Sequence, residues 1–418
     1  MKVYQSTKKS VKDTIKVIDA EALLEMAGAG LLKLSADIGM EVMSQIFEHE
    51  VCQIAGQKGK HNKDRDAYRH GTENTKVVLG GSKVTATRPR VRSKAGDFEM
   101  PLESLSVFQR EDQLNEAVLC RLLAGVSSRK YERTVGAELL GEACTSKSEV
   151  SRRFADAMRT KMDEFFGRRI EGSCPAVIID GMALGKITII AAMGIGSDGR
   201  KRMLGLIEGG SENSNVVKSL LSDLIERGLD PDEPRLYVID GSKALAKAVK
   251  DTFGDKALIQ RCQVHKKRNV LAHLPESEKQ RVGSKISSAY LEFEHDEAKR
   301  KLTLIVRELD MRYPAAAASL LEGLDETLTV HKLCVPGLLR RTLSSTNAIE
   351  SANSVCAGVI RRVTNFKTGE AAVRQAAAGF MEAERGFRRI KGYRELPLLQ
   401  AELARLTNVG SKYRMEVA

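Results

Sequence analysis

Two short apolar runs with the same ending constrain this chain more than any other feature. Ala176-Val-Ile-Ile-Asp180 and Leu236-Tyr-Val-Ile-Asp240 each read as a buried strand closing on an acid, followed at once by Gly181 and Gly241. Continuous apolar runs of this length, rich in β-branched residues and bounded by turn signals, suit strands covered on both faces. Around them, Ile187–Ile195 reads as a second strand, Ser197-Asp-Gly199 as a turn and Arg202–Ile207 as a third strand. Asn215–Arg227 and Ser242–Thr252 have helical spacing, and Ala257–Arg261 reads as a fifth strand. The order is β-β-β-α-β-α-β. Three antiparallel strands followed by strand–helix alternation specify a mixed five-stranded sheet with flanking helices, an α/β fold.

This order resembles the ribonuclease H-like fold, in which the first and fourth strands are parallel neighbours. Adjacent strands lie about 4.8 Å apart, so acids at the carboxyl ends of such neighbours converge. Two-metal sites hold their ions about 3.5–4 Å apart, and magnesium takes oxygen ligands. Asp180 and Asp240 are the first two candidates, although aspartate also favours strand-end turns for purely structural reasons. The best third acid is Glu350, in Ser345-Thr-Asn-Ala-Ile-Glu350. Apolar residues at 349, 352, 356, 359, 360 and 363 mark a helical stripe beside it, one turn from Asn353 and Ser354. Asn347-x-x-Glu350 also fits a capping box, in which Glu350 would serve the helix terminus.

The amino-terminal part is basic. Residues 60–94 carry ten Lys or Arg against three acids, and the whole chain has a formal net charge of +12. Such a surplus favours a polyanion, because Lys and Arg release counterions from phosphate on binding. Residues 76–88 read as a β-hairpin turning at Gly80-Gly81. The strand leads into Arg88-Pro-Arg90-Val-Arg92, whose guanidinium groups fall on one face of an extended chain and could follow a phosphate backbone. Residues 20–56 and 112–168 read as helical. Within the latter, 127–160 has the outline of a helix-turn-helix, its second helix opening at Ser146-Lys-Ser-Glu149 with the capping-box pattern. Lys147, Ser148, Ser151 and Arg152 would then lie near base edges or phosphates. Further basic candidates for phosphate contact are Lys266, Lys267 and Arg268, and Arg361 and Arg362.

Seven scattered cysteines in a chain of 418 residues argue against a disulfide framework and for a reducing cytoplasm. The opening MKVYQSTKKSVKD lacks the apolar core of a signal peptide. Ile187–Ile195, the longest strongly apolar stretch, is too short to span a bilayer, so no membrane partner is expected.

Taken together, Gly80-Gly-x-Val84, Arg88-Pro-Arg-Val-Arg92, Thr145-Ser-Lys-Ser-x-Val-Ser151, Val177-Ile-Ile-Asp-Gly181, Val238-Ile-Asp-Gly-Ser242, Arg261-Cys-Gln-Val-His265 and Ser345-Thr-Asn-Ala-Ile-Glu350 resemble the Mutator-type DDE transposases of bacterial insertion sequences. The resemblance runs from about residue 70 to 395 and implies that Asp180, Asp240 and Glu350 are the metal-binding triad for two Mg2+ (or Mn2+) ions. It further implies an N-terminal DNA-binding region (1–168), a catalytic core (169–275 and 341–395), a helical insertion (276–340) and a C-terminal tail (396–418). The family's Cys-x-x-His signature falls on Cys262 and His265. His265 would pack in the core or contact DNA, and His331-Lys-Leu-Cys334 is a second pair at a spacing unusual for zinc. The chain has no Trp, whereas some related transposases stack a flipped base on one; Tyr290 and Phe293 are the aromatic residues that could substitute. The implied activity is cleavage at the element's terminal inverted repeats and transfer of the freed 3′-hydroxyl to target DNA, by a protein acting as a homodimer on DNA. A non-catalytic DNA-binding derivative and a structure-specific nuclease are the alternatives.

Overall fold

The computed structural model describes residues 31–60, 65–79, 82–96, 98–110, 112–123, 147–209, 213–361, 363, 366 and 368–417. The chain divides into two compact units, Met1–Arg159 and Thr160–Ala418. In the first, helix α1 (Leu31–Ala55) packs on an antiparallel sheet of β1 (Ala67–Leu79), β2 (Ser82–Ser93) and β3 (Glu99–Met100). Met43, Phe47 and Val51 of the helix meet Val77, Ala86 and Val91 of the strands in one buried core. The expected hairpin is present and starts earlier than its β-branched run, at Ala67. Leu79 pairs with Ser82, and Gly80 and Gly81, where the turn is expected, lie outside the described residues. Helices α2 (Glu103–Phe108) and α3 (Asp112–Leu123) follow, then α4 (Lys147–Gly167). α4 is the second helix of the expected helix-turn-helix; the first helix and the turn fall in 124–146, outside the described residues.

The second unit is built on a mixed sheet of β4 (Ala176–Leu184), β5 (Ile187–Ile195), β6 (Lys201–Glu208), β7 (Arg235–Ile239) and β8 (Ala257–Arg261), in the order β6-β5-β4-β7-β8. The first three strands are antiparallel, and β7 and β8 join parallel to β4. One boundary differs from expectation. β4 does not stop at Asp180 but continues to Leu184, because β5 keeps pairing with it as far as Leu184↔Ile187. Only the β7 neighbour ends there, at Ile179↔Ile239. Strand parity sorts the faces. Val177 and Ile179, with Tyr237 and Ile239, face the core shared with α5 (Ser214–Glu226) and α6 (Lys243–Phe253). Ile178, Asp180 and Met182 therefore face the opposite side.

After β8 come α7 (Gln263–Ala272), α8 (Glu276–Leu291), α9 (His295–Asp310), α10 (Pro314–Leu321), α11 (Leu324–Thr327), α12 (Thr329–Lys332) and α13 (Gly337–Leu343). Leu274, Ile286, Leu302, Leu320 and Leu328 help form the common core of α7–α11. This helical segment also closes the open edge of the sheet, where an uncovered strand would invite foreign pairing. The buried amide of Gln260 accepts from Val330 N at 2.9 Å and donates to Thr327 O at 2.8 Å, and Thr329 Oγ1 donates to Ile259 O at 2.6 Å. Tyr290 is half-buried against this core, whereas Phe293 is 57% exposed with the Arg340 guanidinium 5.4 Å from its ring centre. Of the two aromatic candidates, Phe293 is the more exposed.

Helices α14 (Asn347–Ile360) and α15 (Gly369–Arg385) return to the sheet, α14 against β4 and α15 against β5 and β6, and α16 (Leu396–Val417) ends the chain. Their close approach depends on Gly379 of α15. A Cβ there would come within 2.6 Å of Cys356 Sγ and 2.9 Å of Cys356 Cα, contacts that cannot be absorbed without moving α14. Gly379→Ala is expected to destabilise the protein by about 1–3 kcal/mol through overpacking, visible as a lower thermal midpoint. An unchanged midpoint would mean the two helices separate freely. Among the described residues no helix is long and apolar enough to cross a membrane.

Candidate active site

The face of β4 opposite α5 and α6 carries Asp180, and the register Ile179↔Ile239 sets Asp240 beside it at the end of the parallel neighbour. Gly241 adopts φ +110, a conformation open to glycine that turns the chain directly into α6. Ser242 caps that helix through its hydroxyl, while its amide donates to Asp240 Oδ1 at 2.9 Å. The third carboxylate comes from α14, whose buried stripe of Ile349, Ala352, Cys356 and Ile360 presses the helix onto the sheet. Glu350 and Asn353, one turn apart, then project to the strand ends. Asn353 Nδ2 donates to Asp180 Oδ2 at 3.0 Å. The helix is not capped by Asn347 as a capping box would have it. Its N-cap is Thr346, which makes no side-chain cap bond to the backbone and instead donates from its hydroxyl to Glu350 Oε1 at 2.9 Å.

The electrostatics of this cluster are those of crowded carboxylates. Asp180 is 6% exposed, and burial, followed by the charge of Asp240 and then that of Glu350, raises its pKa to about 6 against a partial offset from His265. His265, in the first turn of α7, has Nε2 at 3.7 Å from Glu350 Oε1 and Nδ1 at 3.4 Å from Thr346 Oγ1. Its hydrogen bond with Cys262, aided by the charges of Glu350 and Asp180, moves it above the ordinary histidine range despite burial. For Cys262, burial pushes the thiol up, and hydrogen bonds from His265 and Thr346 outweigh that push. Cys262 Sγ, a His265 ring nitrogen and a Glu350 oxygen all lie within 4.8 Å of one another. His331 and Cys334 are not part of that group. His331 is buried, with Nε2 3.2 Å from Tyr290 O and its pKa lowered to about 4 by desolvation. The six cysteines among the described residues are free.

The structure scatters the basic candidates. Lys266 is buried, its ammonium donating to Ser319 O and Glu322 O, each at 2.7 Å, so it is tied inside the unit. Lys267 Nζ donates to Ser287 Oγ at 2.9 Å, while Arg268 and Arg361 are exposed and Arg362 lies outside the described residues. Arg88 and Arg90 do share a face, as alternation requires, and both reach Glu99 of the short third strand, at 2.8 and 2.5 Å. Arg90, with Arg88, holds the Glu99 carboxyl down at about 2. Arg92 on the same strand is half-buried. On α4, Ser148, Ser151 and Arg152 are exposed, Arg152 paired with Glu149; Lys147 starts the helix. A cleft of about 520 Å3 opens beside Asp240, lined among others by Ser242, Lys243, Arg261, Lys266 and Asn269. Sequence spacing did not single out Thr346 as part of the site. The available signal was its position one turn ahead of Glu350, with Asn353 one turn behind.

Comparison with known proteins identifies the family. The family described as Transposase, Mutator family matches residues 7–389. The transposase for insertion sequence element ISRM5 of Rhizobium meliloti is 29% identical over 325 residues, covering 75% of this chain and 78% of that protein. The transposase for insertion sequence element IS256 in transposon Tn4001 of Staphylococcus aureus is 25% identical over 357 residues, covering 81% of this chain and 87% of that protein. With the match extending over nearly its whole length, the chain belongs to the Mutator family of transposases.

Proposed function

We propose that this transposase is of the DDE type, with a ribonuclease H-like core in which Asp180, Asp240 and Glu350 hold two Mg2+ (or Mn2+) ions. The observation that carries this reading is the meeting of three carboxylates: β4 and β7 are parallel neighbours that bring Asp180 and Asp240 side by side, and Asn353, one turn from Glu350 on α14, bonds to Asp180. The donor set fits the metal: the three acids offer hard oxygen ligands, as magnesium requires. Asn353 Oδ1 is also buried without a hydrogen-bond partner beside Asp180, a polar atom that a hydrated cation could satisfy. When bound, such ions supply activation of a water nucleophile and stabilisation of the leaving oxygen.

The chain's own contribution is positioning. Asn353 fixes one oxygen of Asp180, the Ser242 amide fixes one oxygen of Asp240, and Thr346 fixes one oxygen of Glu350. Each carboxylate is thus oriented before substrate arrives, which lowers the reorganisation needed in the transition state. The substrates on this reading are the terminal inverted repeats of an insertion sequence and a target duplex, and the working form is a homodimer holding two ends. Duplex carrying the element's end should be nicked in MgCl2 but not in EDTA, and the freed 3′-hydroxyl should be recovered joined to target DNA. Cutting that persists in EDTA would overturn the metal assignment. Nicking without joined product would leave a nuclease.

A further inference from the structure

The residues that set the third carboxylate form a second, buried layer behind it. Thr346 is fully buried at the start of α14. Its amide and its hydroxyl each lie 3.4 Å from Cys262 Sγ. Cys262 is itself fully buried, immediately after β8, and its amide donates to Ile239 O at 2.8 Å. Ile239 immediately precedes Asp240. One continuous path of contacts therefore runs from the strand that delivers Asp240, through Cys262 and Thr346, to Glu350. A second tie, Gln263 N to Ser344 O at 2.9 Å, holds the same two segments together.

The hydroxyl of Thr346 has three polar neighbours: Glu350 Oε1 at 2.9 Å, Cys262 Sγ at 3.4 Å and His265 Nδ1 at 3.4 Å. It carries one proton. The short contact to a carboxylate is the one that gains most from that proton, since a charged acceptor strengthens the bond. The thiol sulfur and the imidazole then confine the oxygen from behind. Glu350 needs such an anchor. Its side chain has three rotatable bonds and is 29% exposed, so without one it would sample several rotamers at the mouth of the site.

We infer that Thr346 is a positioning residue: its hydroxyl, confined by Cys262 and His265, aims the Glu350 carboxylate towards Asp180 and Asp240. This rests on the reading of Glu350 as a metal ligand. Partners that orient a ligand in this way change metal affinity or activity by about 10- to 100-fold when removed. Thr346→Val keeps the shape and deletes the hydroxyl. The test is single-turnover cleavage of an end-sequence duplex across a MgCl2 titration, alongside duplex affinity by gel shift and the thermal midpoint. Thr346→Val should cut about 10- to 100-fold more slowly or need correspondingly more Mg2+, with duplex affinity unchanged, and Thr346→Ser should restore both. If Thr346→Val does not fold, Thr346→Ala against Thr346→Ser decides in the same way. A hydroxyl-free variant with native rate and native Mg2+ dependence overturns the inference. So does a serine variant as slow as the valine one, since that would assign the role to the methyl group. Glu350→Gln separates the two levels. If it cuts normally, the proposed function falls as well; if it is inactive while Thr346→Val is native-like, only the positioning role falls.

Discussion

Asp180→Asn, Asp240→Asn and Glu350→Gln should each lower DNA cleavage by about 1,000-fold or more, because losing about 4 kcal/mol of transition-state stabilisation corresponds to that factor. Each substitution keeps the size of the side chain and removes its charge, so the strand pairing and the packing of α14 should persist. Binding to end DNA should survive in all three, since the hairpin and the first turns of α4 that are proposed to contact DNA lie in the other unit and are left untouched. The effects should also be non-additive. Once one ligand is gone the site no longer works as a unit, and a second substitution should cost little more. A triad variant that cuts at the native rate removes that residue from the chemistry.

The second large effect is on stability and runs opposite to activity. Burial, and then the neighbouring charges of Asp240 and Glu350, raise Asp180 to about 6 from its ordinary 3.8. A carboxyl whose folded pKa lies above its unfolded value favours the fold only while protonated. Its contribution is complete below about pH 4 and is lost as pH rises through 6. At pH 8 and without divalent metal, ionised Asp180 therefore costs the fold on the order of 2–3 kcal/mol. Asp180→Asn cannot ionise and escapes this cost. In EDTA at pH 8 the variant should melt higher than the native protein by roughly 5–10 °C, and the gap should close towards pH 4. Adding MgCl2 should raise the native midpoint and leave the variant nearly unmoved, since only a state that binds the ion gains from it. A variant that melts below the native protein at pH 8 in EDTA would show that the three acids do not strain the metal-free fold.

How much of this was legible in the sequence depends on how local each signal is. The ending Ile-Ile-Asp and its repeat Val-Ile-Asp were readable because buried strands announce themselves by composition, and the order of elements then fixes which strands are neighbours. The continuation of β4 through Gly181-Met-Ala-Leu184 was not readable, because a glycine after an acid looks like a turn and only pairing with β5 reveals a strand. The burial of Lys266 was hidden for a similar reason. A Lys-Lys-Arg run suggests a solvated face, and the carbonyls of Ser319 and Glu322 that receive its ammonium come from over fifty residues away. Likewise the pairing of Arg88 and Arg90 with Glu99 depends on a two-residue strand with no pattern of its own. At the site, Asn353 bonds to Asp180 across 173 positions and Thr346 meets Cys262 across 84. Chain spacing identifies which residues share a helix face with Glu350 but not what stands opposite that face.

The most direct test of the shared metal site is anomalous scattering from crystals of the protein bound to end DNA and grown in MnCl2. The account predicts manganese peaks within coordination distance of Asp180, Asp240 and Glu350, and their loss in Asp180→Asn crystals. Peaks that avoid these carboxylates, or that remain unchanged in the variant, would contradict it.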